Sequence, residues 1–356
     1  MVIPESSTMP DDHIKTPPVA TLNQTRQGKP TLRTVSELTG FAVTTVSRAL
    51  ADDPRIAEST RKTVRDAAEQ IGYTPDRAAQ RLRTGRTKVI ALLVNTEHEF
   101  LGFTHELVAG ISEPLQGTGY NVIVSREDIE GDRLAAVRKI VQTRSADGLI
   151  ISRTELFDPR VRYLLENDFP FVSHGQTEFT APHPYVDYDN EAYARDAVRR
   201  LIQKGRKHLA IVLPDARYTF SQHLRYGFLA AARDAGVTHE ILEGITLEVS
   251  PEDMVAAIEE RLSAPNPPDG FVCVGEVVAL ATLSALYDRG IQPGEDVDVV
   301  AKRASPIFRL MRPRIETVFE DVRETGRCIG AALLKRMEGV PSTELQTIIS
   351  PGEDWR

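Results

Sequence analysis

The chain has 356 residues, 41% of them hydrophobic, and a formal net charge of −8 at pH 7. This length suits two or three domains, because a single hydrophobic core rarely serves more than about 300 residues. No stretch approaches about 18 consecutive apolar residues and the N-terminus has no signal-peptide pattern, so membrane insertion and export are not expected. Cys273 and Cys328 lie far apart and without metal-ligand spacing, which predicts two buried thiols in a reducing cytoplasm and no metal or cofactor.

Charge is distributed unevenly along the chain. Residues 31–88 contain 11 Lys and Arg against 7 Asp and Glu, a net of +4; because residues 1–30 balance at 3 and 3, residues 89–356 carry −12. A basic module on an acidic body fits a polyanion-binding head attached to a sensor. Residues 1–29 are rich in Pro, Ser and Thr without apolar periodicity, so we expect a disordered leader there.

Three short helices are predicted within residues 30–74. The first has a small apolar face and is followed by Gly40, which breaks the chain. The third runs from about 58 to 71, with apolar residues at i, i+3, i+4 and i+7, and Gly72 stops it. Three short helices with a glycine turn between the first two form a helix-turn-helix unit.

The second helix is predicted over about residues 43–50, within the stretch TGFAVTTVSRAL. Its buried stripe follows the i, i+3, i+4 rhythm at Val46, Ala49 and Leu50. In a helix-turn-helix unit, this second helix presents its outer face to the DNA major groove. That face is small, polar and tipped by one guanidinium, and consists of Val43, Thr44, Ser47 and Arg48.

Residues 75–88, PDRAAQRLRTGRTK, form a basic segment after the helical unit. Pro75 permits a helix start and Leu82 belongs to a small apolar stripe, but the segment is too short and too basic to hold a helix unaided. We therefore expect a hinge helix and linker that orders only against another surface. A phosphate backbone is favoured as that surface by the neighbouring cations Arg81, Arg83, Arg86 and Lys88.

From residue 89 to about residue 345, short apolar strands alternate with amphipathic helices. Such a pattern is typical of an α/β domain with doubly wound parallel sheets, which bind ligands outside the carboxyl ends of the strands. Periodicity leaves two arrangements open, one large sheet or two sheets facing each other across a cleft. The predicted strands are residues 89–94, 121–124, 148–151, 169–172, 208–213, 270–274 and 297–300.

This organisation resembles the lactose/galactose repressor (LacI/GalR) family of bacterial transcription regulators. The resemblance covers about residues 31–340 and rests mainly on TVSELTGFAVTTVSRAL (34–50) and RIAESTRKTVRDAAEQIGYTPDRAAQRLRTGRT (55–87). It implies an N-terminal all-α helix-turn-helix DNA-binding domain at residues 30–74 and a periplasmic-binding-protein-like core at residues 89–345. The core would consist of two doubly wound parallel-sheet subdomains whose interface holds a small ligand, and the protein would act as a dimer.

The resemblance assigns DNA contacts residue by residue. Val43, Thr44 and Arg48 match the family's base-reading side chains, and the chemistry agrees: Arg can bond two acceptors on guanine, and Thr and Val methyls can pack against the thymine methyl. Leu82 matches a leucine that the family wedges into the minor groove at the operator centre. Ala57 replaces the family's usual serine before the third helix, which costs about 1 kcal/mol of capping. The matches to phosphate-contacting positions are Thr34, Thr45, Ser47 and Tyr73.

The expected ligand cleft departs from the family's pattern at several strand ends. Leu224 stands where many relatives have a sugar-binding arginine, and Gly275-Glu276 replaces an Asn-Asp pair. Residues 301–304 read Ala-Lys-Arg-Ala instead of Gly-aromatic-Asp-Asp. The resemblance therefore implies either a ligand unlike the commonest sugars or a carbohydrate held by different donors.

Candidate effector contacts are side chains that follow a predicted strand or open the next helix. Aromatic and planar polar groups suit a sugar, although Lys302 and Arg303 would equally attract an acidic ligand. The candidates are Glu97, Phe103, His174, Gln176, Asp189, His223, Arg225, Glu276 and Lys302.

Three other classes of protein are alternatives to a regulator. An enzyme is disfavoured because the chain has no Walker A, His-Glu-x-x-His or Gly-x-Ser-x-Gly motif. A solute-binding protein without a regulatory role, secreted or cytoplasmic, is the main alternative, and an architectural DNA binder would not need so large a body. We expect a cytoplasmic, ligand-responsive repressor of a carbohydrate uptake or catabolic operon. It should bind a pseudo-palindromic operator as a homodimer. A dimer is expected rather than a tetramer because no Leu-heptad tail follows the core.

Overall fold

The structure, a computed structural model, describes residues 29–74, 81, 84–94, 102–127 and 131–355. The expected leader up to residue 28, Leu82 with most of the expected hinge, and Glu97 lie outside the described residues. The chain divides into two compact units, Met1–Ala79 and Gln80–Arg356. The division falls within the segment expected to be a hinge.

The first unit is built from the helices α1 (Leu32–Thr39), α2 (Val43–Ala49) and α3 (Glu58–Gln70). α1 begins with a capping box, in which the Thr31 hydroxyl accepts a hydrogen bond from Thr34 N and the Thr34 hydroxyl accepts one from Thr31 N. α1 ends at Gly40, whose φ of 71° is a left-handed conformation that glycine adopts without strain. α2 and α3 each end one residue before the predicted position.

The core of this unit is small. α2 buries Val46 and Ala49, as the apolar stripe predicts, and Leu50 packs half-buried beside them. No side chain caps α3, which follows Ala57. The core is completed by Val35, Val64, Ala67 and Ala68.

The second unit contains two parallel sheets, the first with six strands in the order β11-β5-β4-β3-β1-β2. The strands are β1 (Val89–Val94), β2 (Asn121–Arg126), β3 (Gly148–Ser152), β4 (Phe171–His174), β5 (Tyr185–Tyr188) and β11 (Gln346–Ile349). The helices associated with this sheet are α4 (Phe103–Leu115), α5 (Arg133–Thr143), α6 (Pro159–Glu166) and α12 (Val322–Met337).

The second sheet has five parallel strands in the order β10-β9-β8-β6-β7. They are β6 (His208–Val212), β7 (Thr238–Ile241), β8 (Gly270–Cys273), β9 (Asp298–Arg303) and β10 (Glu316–Phe319). The helices of this half are α7 (Asn190–Gln203), α8 (Thr219–Asp234), α9 (Pro251–Ser263), α10 (Glu276–Asp288) and α11 (Ile307–Leu310). Of the two arrangements that periodicity left open, the chain adopts the pair of sheets.

The chain passes from one sheet to the other directly after β5 and directly after β10. Each predicted strand is present, with bounds shifted by up to three residues. β4 begins at Phe171 rather than at residue 169, because Pro170 has no N–H to donate to the sheet. Strands β5, β7, β10 and β11 were not predicted, because each has four residues and includes polar side chains.

The folded unit extends past the expected end at residue 345. Strand β11 pairs with β5 along its whole length, from Gln346 opposite Tyr185 to Ile349 opposite Tyr188. Beyond it, Trp355 packs against the hydrophobic core of the five-stranded half. The last ten described residues therefore contribute to both halves of the unit.

Candidate functional site

The outer face of α2 is the candidate DNA-reading surface. Val43 is 44% exposed, Thr44 and Arg48 are exposed, and Thr45 and Ser47 are half-buried. The face thus presents methyl groups, hydroxyls and one guanidinium, without an acidic side chain. These groups can hydrogen-bond guanine and contact the thymine methyl.

Two of the four expected phosphate contacts, Thr34 and Thr45, lie in the first turns of α1 and α2. Neither α1 nor α2 has an acidic residue in its first turn, so the positive ends of both helix dipoles are not offset by a side chain there. Thr34 lies exposed in the first turn of α1, while Tyr73 packs half-buried against the core of the unit. A helix start without an acidic side chain is a favourable place for a phosphate group.

The segment that enters the second unit is anchored to the amino edge of the six-stranded sheet. The Asp147 carboxylate accepts hydrogen bonds from Thr87 N (2.8 Å), the Thr87 hydroxyl (2.9 Å) and Lys88 N (2.9 Å). Arg81 donates to two carbonyls at the C-terminal end of α5, at 3.1 and 2.9 Å. A cation is favourable at that end of a helix.

A cavity of about 120 Å³ lies between the carboxyl ends of the two sheets. The ends of β1, β3, β4 and β5 line one side, and the end of β9 and the residues after β8 and β10 line the other. This is the location at which open parallel sheets bind ligands. Its apolar wall includes Phe103, Leu107, Tyr188, Phe220 and Leu247.

On the six-stranded side, the wall carries His174 and Asp187. The His174 ring stacks on Phe103 with 5.8 Å between ring centres. Burial lowers the pKa of His174 and outweighs the opposite effect of the Asp187 carboxylate, so the imidazole is neutral at pH 7. Asp187 accepts hydrogen bonds from Gln176 Nε2 (3.0 Å) and from the next backbone N–H (2.9 Å).

On the five-stranded side, Lys302 joins the two segments that connect the halves. Its Nζ lies 2.9 Å from Asn190 Oδ1, which follows β5, and 2.9 Å from Glu320 Oε2, which follows β10. The ammonium also lies 4.6 Å from the centre of the Tyr188 ring. Lys302 is therefore held by both connections.

Glu276 occupies the first turn of α10, where the helix dipole favours a carboxylate. Its Oε1 accepts hydrogen bonds from Ala304 N (3.2 Å), Ser305 N (2.8 Å) and the Ser305 hydroxyl (2.7 Å). The side chain is 2% exposed. Glu276 thus fixes the loop after β9 and lines the cavity at the same time.

The two halves also touch at a loop beside the cavity. Arg153, which lines the cavity, donates to Glu248 Oε1 across the cleft at 3.3 Å. Thr219 N donates to Thr154 O at 3.0 Å, and both are buried. These contacts hold the segment after β3 of one half against α8 and the loop before α9 of the other.

The structure brings four of the nine candidate effector residues to the cavity: Phe103, His174, Glu276 and Lys302. Gln176 lies behind the wall and holds Asp187. The Asp189 carboxylate instead caps α7 by accepting from Ala192 N at 2.8 Å.

His223 and Arg225 are not among the lining residues. They flank Leu224 on α8, and Leu224 is fully buried in the core. The substitution of the family's arginine by leucine therefore removes a donor at that position, and the neighbouring polar residues do not line the cavity in its place.

Several lining residues were missed by the sequence reasoning. Arg153 and Glu320 follow strands directly, so the rule used for the other candidates could have found them once β10 was recognised. Asp187 lies in β5 and Asn190 follows it, and the sequence YVDY did not reveal β5 as a strand. These four residues line one cavity only because the carboxyl ends of the two sheets face each other.

Two kinds of feature are absent from the part of the chain that the structure describes. No group of three or more His, Cys, Asp or Glu residues there could hold a metal ion. None of its helices is both long enough and apolar enough to cross a membrane.

Comparison with protein families matches both units. The model described as bacterial regulatory proteins of the lacI family matches residues 31–76, and the periplasmic binding protein-like domain matches residues 198–355. The transcriptional regulator AglR of Rhizobium meliloti is 30% identical over 86% of this chain and 87% of its own length. RafR of Escherichia coli is 29% identical over 90% of this chain and 96% of its own.

Solved structures show the same architecture. A complex of the transcriptional regulator CelR with cellobiose is 25% identical, covers 91% of this chain and 98% of its own, and has a TM-score of 0.65. The Lac repressor dimer bound to operator and an anti-inducer shares the fold with a TM-score of 0.77 at 20% identity, over 91% of this chain and 97% of its own. The chain therefore belongs to the LacI family and is a DNA-binding transcription regulator rather than an enzyme.

Proposed function

We propose that this regulator is a cytoplasmic homodimer that represses a carbohydrate uptake or catabolic operon and is released from its operator by a sugar. The observation that carries the proposal is the exposed face of α2, where Val43, Thr44 and Arg48 present methyl groups, a hydroxyl and a guanidinium suited to reading bases. In a two-fold symmetric dimer, two such helices would enter successive major-groove half-sites of a pseudo-palindrome. Leu82 would wedge into the minor groove between them.

The cavity between the sheets supports a small effector. Several of its lining residues are aromatic or apolar, and its polar groups converge from both halves, as in binding sites for small polar molecules. The similar regulator CelR is described in complex with cellobiose. RafR, AglR and CelR all match this chain over at least 85% of its length. A sugar is therefore the effector class that we propose.

Ligand and operator would be coupled through the two connections between the halves. A ligand that contacts both walls changes how the halves sit around Lys302, Asn190 and Glu320, and thereby the dimer geometry that the hinge helices require. Such coupling is reciprocal, so operator DNA should change sugar affinity by the same factor as the sugar changes operator affinity.

The test is operator selection followed by release. Full-length protein should enrich a pseudo-palindromic sequence from random double-stranded oligonucleotides. Fluorescence anisotropy on that sequence, repeated with glucose, galactose, cellobiose and raffinose, should identify a sugar that lowers affinity. Equal binding to the selected duplex and to random competitor, with and without sugars, would overturn the proposal.

A further inference from the structure

One charged group in the cavity has unused hydrogen-bonding capacity. Glu276 Oε1 is held by three donors, whereas Glu276 Oε2 is buried and has no hydrogen-bond partner among the described residues. A buried acceptor without a donor is unfavourable, so a ligand hydroxyl that donates to this oxygen would be stabilised there. The Tyr188 hydroxyl, which belongs to the same cavity, is likewise buried without a described partner.

The cations of the cavity are already engaged inside the protein. Lys302 bonds Asn190 and Glu320. Arg153 pairs with Glu248 across the cleft. Each therefore serves the connection between the halves rather than an incoming anion.

Arg303 is also engaged inside the protein, by the neighbouring strand β10. Its Nε donates to the Thr317 hydroxyl at 3.2 Å, and its guanidinium lies 5.0 Å from the centre of the Phe319 ring. The residue is 5% exposed. In the sequence, Lys302 and Arg303 suggested that an acidic ligand could be attracted to the cavity. Because both side chains are already bound within the protein, they are not free to pair with such a ligand.

The formal charges on the described lining residues balance. Three cations stand against three carboxylates, those of Asp187, Glu276 and Glu320, and His174 is neutral. An anionic ligand would bring a further negative charge close to Glu276 in a region largely shielded from water, where like charges repel strongly. A hydroxyl group can instead donate to Oε2 without a charge.

We infer that the effector is an uncharged polyhydroxylated molecule, one hydroxyl of which donates a hydrogen bond to Glu276 Oε2, and that Glu276 makes the site reject acidic sugars. The inference rests on the proposed function in one respect, because it takes this cavity as the effector site. Phe103 and Phe220 supply flat apolar surfaces for the carbon face of a sugar ring.

The test compares neutral sugars with acidic versions of the same ring. Isothermal titration calorimetry on the full-length protein would use glucose, glucose 6-phosphate and glucuronate, the corresponding galactose set, and cellobiose with cellobionate. The neutral member of the binding set should have a Kd at least ten-fold lower than its acidic partners. Glu276→Gln should weaken binding of the neutral sugar at least ten-fold and reduce the discrimination against its acidic partner.

The Gln variant keeps an oxygen for Ala304 and Ser305 and replaces only the unpartnered oxygen by an amide nitrogen, so the fold should persist. Glu191→Gln, at a partly exposed carboxylate paired with Arg195 on α7, is the matched control and should leave every Kd unchanged. An acidic sugar that binds as tightly as its neutral partner, or unchanged neutral-sugar binding in Glu276→Gln, overturns the inference.

The two proposals fail in different ways. Release of the selected operator by an acidic sugar alone would leave the proposed regulator intact and overturn the charge preference. Absence of any DNA sequence preference would overturn the proposed function, while calorimetry would still measure which sugars the cavity accepts.

Discussion

Trp355 stacks on Tyr193 with 6.0 Å between the ring centres and 6° between the ring planes. Arg200 lies 4.4 Å from the centre of the Trp355 ring. The Tyr193 hydroxyl donates to Cys273 O at 2.6 Å, and its ring lies 5.6 Å from Lys302 Nζ. Trp355, at the end of the described chain, thus reaches through Tyr193 to Lys302, which lines the cavity between the sheets.

Removal of Tyr193 should therefore destabilise the core unit strongly. Tyr193 is fully buried, so Tyr193→Ala should lower the free energy of unfolding by about 3–5 kcal/mol. Tyr193→Phe keeps the stack but leaves the Cys273 carbonyl without its donor, which should cost about 1–3 kcal/mol. Urea unfolding can be followed by the fluorescence of Trp355, the single tryptophan of the chain. An equal loss in both variants would contradict this division between stacking and hydrogen bonding.

A second prediction concerns the contact between α4 and α12. A Cβ added to Gly110 would collide with Arg323 O, and one added to Gly326 would collide with Leu107 O. The backbones of the two helices approach each other where these glycines lie, so Gly110→Ala must force them apart. We expect a loss of about 1–3 kcal/mol or more in the free energy of unfolding.

His105→Ala is the control for that contact, since His105 is an exposed residue of the same helix. It should change the free energy of unfolding by less than about 0.5 kcal/mol. A thermal denaturation series of the three proteins makes the comparison. Wild-type stability in Gly110→Ala would show that the two helices can separate at little cost.

Much of the fold could be predicted because the central strands are apolar throughout. VIALLV gives β1 with the predicted bounds, since all its side chains are buried or nearly so. Four-residue strands such as ETVF and THEI carry charged side chains at intermediate exposure and resemble loops. The choice between one sheet and two depends on where the chain passes from one half to the other, at Asn190 and after Phe319. No periodic pattern of apolar residues marks those two points.

The cavity was only partly predictable for a related reason. His174, Glu276 and Lys302 could be found because they lie at the ends of apolar strands. His223 and Arg225 also belong to the helix after an apolar strand, but they flank the buried Leu224, and on a helix the neighbours of a buried residue point elsewhere. Arg153 and Glu248 are 95 residues apart, and only the folded chain pairs them.

A third prediction concerns the buried ion cluster formed by Arg160, Asp158 and Glu127. Arg160 is fully buried and donates to both carboxylate oxygens of Asp158, at 3.0 and 2.7 Å, and to Glu127. Arg160→Met should lower the free energy of unfolding by about 3–5 kcal/mol, because it leaves the buried Asp158 carboxylate without its cation and Glu127 with Arg133 alone. The double variant with Asp158→Asn should recover part of that loss in chemical denaturation. A larger loss in the double variant would contradict the explanation.

Acid should weaken the same cluster. Burial raises the pKa of Asp158, but the charge and hydrogen bonds of Arg160 outweigh it and hold the pKa below its usual value of 3.8. A lowered folded pKa stabilises the protein above the unfolded pKa, and this contribution disappears as the pH falls through the folded value. The stability advantage of wild type over Asp158→Asn should therefore be constant from pH 7 to about 5 and shrink below about 4.

Urea denaturation from pH 7 to 3 measures that difference. Asp168→Asn serves as the control, because the Asp168 side chain is 92% exposed and its ion pair with Arg336 contributes little. A gap between wild type and Asp158→Asn that stays the same down to pH 3 would show that the carboxylate of Asp158 is not the group whose protonation matters.

The last prediction separates base reading from general attraction to DNA. Arg48 is exposed on the outer face of α2, where a guanidinium can bond guanine O6 and N7 together. Arg48→Ala should reduce discrimination at one base pair in each half-site by about 1–3 kcal/mol and leave the preference at other positions unchanged. Competition binding against single-base variants of the selected operator measures this loss position by position.

Arg33→Ala provides the comparison, since Arg33 is an exposed cation on α1 that pairs with Glu37. Its loss should weaken binding to all sequences alike, if at all, and reduce the salt dependence of the affinity. If Arg48→Ala instead weakens every duplex by the same factor, Arg48 holds a phosphate. The sequence preference would then have to come from Val43 and Thr44 alone.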